Sequence, residues 1–373
     1  MAGIYLHIPF CRQACAYCNF HFTTSLHYKD DLIQALGKEI ALEKDYLDGQ
    51  AVETIYFGGG TPSLLTIGDC QFLMETISKN FPVIPDAEIT LEANPDDINK
   101  EKLEGWKNAG INRLSIGVQS FFEEELRWMN RAHTAEQAID NLHLARTAFE
   151  NITMDLIYGS PLLTDKMWKE NVDTAIALDI PHLSCYALTV EEKTPLYKLI
   201  QTHQTATVED EKQARQFLLL MEWLKEKGYE HYEVSNFAKP GWRSRHNSSY
   251  WKGATYLGLG PSAHSYNGVE RRWNVANNNI YIKTLREGPP KRETEILSDK
   301  NRLNETIMIS LRTMEGLNLE KIGTGWGMDE RKRVQAGLQK FAGSGWVRFE
   351  NSIARLTDEG MLRADGIAAE LFV

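Results

Sequence analysis

Ile8-Pro9-Phe10-Cys11-Arg12-Gln13-Ala14-Cys15-Ala16-Tyr17-Cys18-Asn19-Phe20-His21-Phe22 decides how the rest of the chain is read. Three cysteines follow one another in the spacing C-x-x-x-C-x-x-C. Pairing two of them as a disulfide leaves one thiol over. A short loop that aims three thiolates at one centre suits a metal cluster, because the deprotonated sulfur is the ligand. Three ligands on a four-iron cluster leave one iron open to a substrate or cofactor. A structural zinc site is the alternative and needs a fourth ligand, for which His7 and His21 stand close in sequence. Buried core thiols without any chemistry are the third reading.

Around this loop, apolar and β-branched runs alternate with helical patterns. Strands are expected at Ile4–Phe10, Val52–Phe57, Glu88–Ala93, Arg113–Val118, Thr153–Ile157 and His182–Leu188. Helical periodicity covers Tyr28–Tyr46, Ile67–Phe81, Lys100–Asn108, Ala135–Phe149, Asp165–Leu178 and Val208–Lys227. Six βα units in succession predict an α/β fold with a parallel sheet. Right-handed crossovers curl such a sheet into a partial (β/α)6 barrel. Chemistry in such barrels sits at the C-terminal ends of the strands. The cysteine loop follows the first strand, and Gly58-Gly59-Gly60-Thr61-Pro62 follows the second. Glu92 ends the third, Gln119 the fourth and Ala187 the sixth, with Asp155 in the fifth.

Residues 1–235 form the expected barrel. From 236 to 290 the βα rhythm stops, and Gly- and Asn-rich sequence reads as loops and short strands ending in the linker Arg286-Glu287-Gly288-Pro289-Pro290. Residues 291–373 read as helix, helix, short hairpin at Trp346–Leu356 and a final helix Thr357–Leu371, a winged-helix-like α+β module. The net charge of −10 argues against broad nucleic-acid binding. Five cysteines argue for a reducing compartment. No run of eighteen apolar residues exists, and Cys11 comes too early for a secretory leader, so a cytoplasmic protein is expected.

With Tyr17 just before the third cysteine, the loop resembles that of the radical S-adenosylmethionine (SAM) enzymes. The resemblance implies a 4Fe-4S cluster on Cys11, Cys15 and Cys18. Its open iron chelates SAM, and one electron cleaves SAM to methionine and a 5′-deoxyadenosyl radical. It places Gly59, Gly60 and Thr61 on the amino end of SAM and Arg131 on its carboxylate. Glu92, Gln119 and Asp155 hold the cofactor, with Tyr5, Tyr17 and Ala187 beside it. An arginine on a carboxylate, and acids or amides on ribose hydroxyls, are chemically apt.

The strings Tyr56–Ser63, Ser115–Phe121, Asp155–Gly159 and Gly258–Ala263 narrow the resemblance to the oxygen-independent coproporphyrinogen III oxidase group, over essentially the whole chain. The oxidase branch carries a fourth cysteine where this chain has Phe20, and a longer N-terminal extension. A haem-chaperone branch lacks both and bears H-N-x-x-Y-W, here His246, Asn247, Ser248, Ser249, Tyr250 and Trp251. That branch implies haem as cargo, acceptor haemoproteins as partners and an electron donor of flavodoxin or ferredoxin type. Membrane-associated acceptors and a homodimer are compatible with it. An imidazole can ligate haem iron, and Arg243 and Arg245 are candidates for its propionates. The alternative for the motif is a polar loop whose tryptophan packs in the core. Cys70 and Cys185 read as core thiols, Trp223, Tyr229 and Tyr232 as core packing, Glu123-Glu124-Glu125 as a solvated helix start, and His264 as a structural loop histidine, with a place facing the cofactor cavity as its alternative.

Overall fold

The computed structural model describes residues 2–373. Strands β1 (Ala2–Ile8), β2 (Val52–Gly59), β3 (Val83–Ala93), β4 (Arg113–Gln119), β5 (Ile152–Tyr158) and β6 (His182–Ala187) pair in parallel in that order. The helices between them include Lys29–Leu42, Ile67–Asn80, Lys100–Asn108, Ala135–Ala148 and Asp165–Ala177. Their starts are written locally. Thr66 and Thr134 make capping boxes with Asp69 and Gln137, and Asn99 and Thr164 cap Lys100–Asn108 and Asp165–Ala177, while Lys29–Leu42 starts without a side-chain cap.

Parallel strands covered on both faces usually read as unbroken apolar runs. Here they alternate. Ile4, Leu6 and Ile8 on β1 and Leu114, Ile116 and Val118 on β4 are fully buried. Each such side chain contributes about 1.5–3 kcal/mol of burial. The residues between them are polar: Tyr5 and His7 on β1, Thr54 and Tyr56 on β2, and Glu88, Thr90 and Glu92 on β3. Arg113 and Ser115 continue the pattern on β4, Thr153 and Asp155 on β5, and His182 and Ser184 on β6. Strand period two therefore gives the sheet an apolar outer face under the helices and a polar inner face.

The sheet does not stop at six strands. β7 (Glu230–Glu233) and β8 (Asn236–Ala238) form a hairpin, and β8 runs antiparallel beside β6. On the other side β9 (Thr255–Leu259) lies parallel to β1, followed by β10 (His264–Tyr266), β11 (Glu270–Asn274) and β12 (Arg292–Ile296). The result is one twelve-stranded sheet. The stretch after residue 235 thus extends both flanks of the barrel sheet; its expected short strands join that sheet rather than only packing near it. It also contains the helices Arg245–Trp251 and Asn278–Glu287.

Glu39, only 1% exposed, fastens this extension to the helix Lys29–Leu42. It accepts from Gly260 N at 2.8 Å, Asn274 Nδ2 at 2.6 Å and Tyr281 OH at 2.5 Å. Burial pushes its carboxyl up to about 7 against those hydrogen bonds. Glu39→Ala removes the acceptor of three buried donors, of which Asn274 Nδ2 keeps a bond to Gly260 O. We expect a loss of about 3 kcal/mol, read as a drop in urea midpoint with unchanged m. A loss under about 0.5 kcal/mol contradicts the clamp.

The C-terminal module has helices Asp299–Leu311, Leu319–Trp326 and Met328–Gly343. Its small sheet has the order β13 (Leu317–Asn318), β15 (Ile353–Leu356), β14 (Val347–Glu350). The expected final helix is two, Asp358–Met361 and Ala364–Glu370. Gly360 lies so close to the Trp346 carbonyl that a Cβ would stand 2.0 Å from it, which pins this segment to the base of the hairpin.

Candidate functional site

The cysteine loop is held from outside rather than by its own thiols. Cys11 N donates to Thr23 O, Ala16 N to Met129 O and Leu196 N to Ala16 O. Arg12 pairs with Asp97, whose side chain is buried and also accepts from Ser63 Oγ at 2.7 Å. Asn130, at φ +57°, donates to Ala14 O. The loop backbone is thereby preorganised while Cys11, Cys15 and Cys18 stay partly exposed.

Burial, offset by a Thr61 hydrogen bond and raised further by the charges of Cys18 and Cys15, pushes the Cys11 thiol up to about 11. Burial also raises Cys18, with Cys15 again adding to it. Cys11 and Cys18 are thus disfavoured as thiolates by burial and by the neighbouring sulfurs, a cost that a bound metal cation relieves. No three His, Cys, Asp or Glu side chains among the described residues are grouped to hold a metal ion. Cys15 Sγ instead accepts from Arg131 Nη1 at 3.2 Å. Its donor set and anchored backbone fit a cluster once Cys15 leaves that contact. His7 and His21 are otherwise engaged. His7 Nε2 bonds His21 O at 2.9 Å, its Nδ1 faces Tyr5 OH at 3.2 Å, and His21 Nε2 bonds Asn278 Oδ1 at 2.7 Å.

Beside the loop, Gly59 adopts φ +111°, and a Cβ there would meet the His7 ring at 2.8 Å. A Cβ on Gly60 would meet Phe10 O at 2.7 Å. The glycines thus let β2 close onto the root of the cysteine loop, a reason their sequence alone did not reveal. Gly59 N donates to Glu92 Oε2 at 3.1 Å, and Tyr56 OH donates to Glu92 Oε1 at 2.9 Å. Burial, then the Asp155 charge, push Glu92 up to about 7. Burial pushes Asp155 up to about 6, against the Ser184 hydrogen bond and the Arg113 charge. Two acids of raised pKa face one polar interior, an environment that favours a cationic ligand.

At the end of β4 the register slips by one residue, and Gln119 takes φ +71°. A non-glycine residue in that region marks a strained, purposeful turn. It brings Gln119 Nε2 beside Gly117, next to Arg131 and Asn94. Arg131 Nη2 donates to Asn94 Oδ1 at 2.7 Å and Gly117 O at 2.6 Å, and its buried Nε has no partner. Tyr17 packs with Ala16 and Met129, and Ala187 is exposed at the end of β6. The strand ends thus bring Gly59, Gly60, Thr61, Glu92, Gln119, Arg131 and Asp155 to the mouth that holds the cysteines.

The His246–Trp251 motif is elsewhere. It is a helix, where a loop was considered, and it plugs the opposite, N-terminal end of β1–β3. His246 is 1% exposed. Its Nδ1 bonds Thr54 Oγ1 at 2.8 Å and its Nε2 bonds Tyr250 OH at 2.9 Å, and its backbone N donates to Glu88 at 2.9 Å. Burial lowers its pKa to about 3. The ring stacks on Tyr56, centroids 4.9 Å apart, so one tyrosine links the motif to Glu92. Asn247 is partly buried, and Trp251 lies under Arg312. Arg243 pairs with Glu230 and Glu315, and Arg245 with Asp86.

Cys70 and Cys185 are buried in the core, as expected, and so are Tyr229 and Tyr232. Glu125 is a correction: it is fully buried and accepts from Ser160 Oγ at 2.6 Å, because the helix Glu123–Trp128 turns that face inward. Asn94 and Asp97, which position Arg131 and Arg12, were missed. Neither carries a motif, although the polar alternation along β1–β6 pointed to the inner face they border.

Residues 5–175 match the Radical SAM superfamily and residues 297–363 the HemN C-terminal domain. Heme chaperone HemW of Bacillus subtilis (strain 168) is 34% identical over 97% of this chain and 97% of its own. Heme chaperone HemW of Escherichia coli (strain K12) is 37% identical over 70% of this chain and 69% of its own. Among solved structures, coproporphyrinogen III oxidase (HemN) from Escherichia coli, a radical SAM enzyme, superposes with a TM-score of 0.86 at 25% identity. The match covers 100% of this chain and 90% of that one. No helix among the described residues is long and apolar enough to cross a membrane. Sharing a third of its residues with HemW over nearly its full length, the chain belongs to the HemW family of the radical SAM superfamily.

Proposed function

We propose that this protein is a haem chaperone: it binds haem, carries a SAM-ligated 4Fe-4S cluster and passes haem to acceptor haemoproteins. The observation that carries the reading is Phe20. It stands two residues after Cys18, where the oxidase pattern has a cysteine, and its side chain is 68% exposed. A sulfur is replaced there by an apolar ring open to solvent.

Cys11, Cys15 and Cys18 hold the cluster. Arg131, turned from Cys15 to a carboxylate, anchors the methionine end of SAM, with Gly59, Gly60 and Thr61 at its amino group. Glu92, Gln119 and Asp155 face its sugar and sulfonium, and Tyr5, Tyr17 and Ala187 close the sides. When bound, the cluster and SAM supply one-electron chemistry. The chain's own part is to exclude water on the helix-covered side and to hold two acids opposite a cation. His246, Asn247, Tyr250 and Trp251 serve the haem site. Cytoplasmic haemoproteins, membrane-associated acceptors and a flavodoxin- or ferredoxin-type electron donor are the partners in keeping with this reading, as is a homodimer.

The alternative is oxygen-independent oxidation of coproporphyrinogen III, favoured by the superposition on the oxidase. The test is anaerobic. Haem titrated into the reconstituted protein should give a saturable Soret band at one haem per chain. Coproporphyrinogen with SAM and reductant should give no more protoporphyrinogen than a Cys15→Ala control. Turnover above that control, without saturable haem binding, reverses the preference.

A further inference from the structure

β9, β10 and β11 continue the inner face of the barrel beyond β1. Tyr256 lies opposite Gly3 in the parallel β9–β1 register and shares its face. His264 and Tyr266, two apart on β10, stand opposite Trp273 and Arg271 on β11. These side chains form one aromatic wall. Tyr256 and Tyr266 have centroids 6.1 Å apart, and His264 stacks on Trp273 at 5.6 Å and 22°. The wall joins the His246 motif directly, because Tyr250 meets Tyr256 edge-on at 4.7 Å.

Two histidines near this wall, His246 and His264, differ in the property a ligand needs. Both nitrogens of His246 are bonded inside the plug. His264 is exposed, and stacking on Trp273 is its ring contact. Burial and the Arg271 charge lower its pKa, so a neutral imidazole is available at neutral pH. A planar macrocycle with an iron centre needs three things: flat apolar contact, one free imidazole and a cation near its carboxylates. This wall offers the first two, and Arg271 the third on release from its ion pair with Glu305.

We propose that haem lies against the wall of Tyr256, Tyr266 and Trp273, with His264 as its iron ligand. The proposal rests on the haem-chaperone reading. His246 is then a positioning residue. It holds Tyr250, and Tyr250 holds Tyr256.

The experiment titrates ferric haem into the full-length protein and its His264→Ala, His264→Cys and His246→Ala variants, recording absorption and electron paramagnetic resonance spectra. Circular dichroism checks the fold of each. His264→Ala should lose the imidazole signature and bind at least tenfold more weakly. His264→Cys should replace it with a thiolate spectrum, a change that a structural role alone does not produce. His246→Ala should weaken binding yet keep the imidazole spectrum. The proposal is overturned if His264→Ala keeps wild-type spectrum and affinity, or if the cysteine variant shows no thiolate spectrum. Loss of the imidazole signature in His246→Ala alone also overturns it. Failure of the unsubstituted protein to bind haem saturably overturns the haem-chaperone reading itself, a separate outcome.

Discussion

Cys15→Ala protein, reconstituted anaerobically with iron and sulfide, should show none of the visible iron–sulfur absorption of the parent and should still fold. Three thiolates are the whole donor set, so losing one removes the site. The scaffold does not depend on it. Its core is the outer face of β1–β6 under the helices, and the loop backbone is fixed by Arg12–Asp97 and by main-chain bonds to Thr23, Met129 and Leu196. The substitution leaves all of these intact and frees Arg131 from one contact. Circular dichroism and the melting temperature should stay within a few degrees of the parent. An unfolded variant would contradict the separation of cluster from scaffold. A variant that retains its iron would contradict the ligand assignment.

Glu92→Gln should change both the pH dependence of stability and the affinity for SAM. The folded carboxyl titrates at about 7, above its usual value, chiefly because of burial. The folded state therefore binds the proton more tightly than the unfolded one. That stabilisation is complete below the unfolded pKa and is lost as pH rises through the folded value. Between about pH 5 and pH 8, the parent should lose stability as pH rises, while the Gln variant stays flatter and is the more stable at the upper end. SAM affinity should move the other way in the parent, rising over the same interval as Asp155 and then its neighbour Glu92 become anionic opposite the sulfonium. The Gln variant should bind SAM at least tenfold more weakly and lose most of that slope. Urea midpoints and equilibrium dialysis across the interval read both effects. Parallel pH profiles for parent and variant would contradict the placement of Glu92.

The barrel and the loop were legible in the sequence because each rests on a local rule. Period-two alternation and capped helices mark βα units one at a time, and three closely spaced cysteines mark a metal loop without reference to anything distant. The flanks of the sheet were not legible. β9 joins β1 across about 250 residues of chain, and nothing local in Thr255–Leu259 says which edge it will meet. The His246 motif shows the same limit. Its composition admitted a polar loop with its tryptophan in the core, but pairing with Thr54 and Glu88, far away in sequence, buries it as a helix. Glu125 was misread for the same reason, since its partner Ser160 lies on the far side of β5. What sequence conveyed poorly in each case was a non-local polar contact.

Delivery of haem is tested most directly by one measurement. The anaerobically reconstituted protein is loaded with one haem, freed of excess and mixed with an apo-haemoprotein, with and without SAM. Loss of its own Soret band should be matched by appearance of the acceptor's, faster than from free haem adsorbed to serum albumin. If haem stays on the protein, or reaches the acceptor no faster than from albumin, the chaperone account is contradicted.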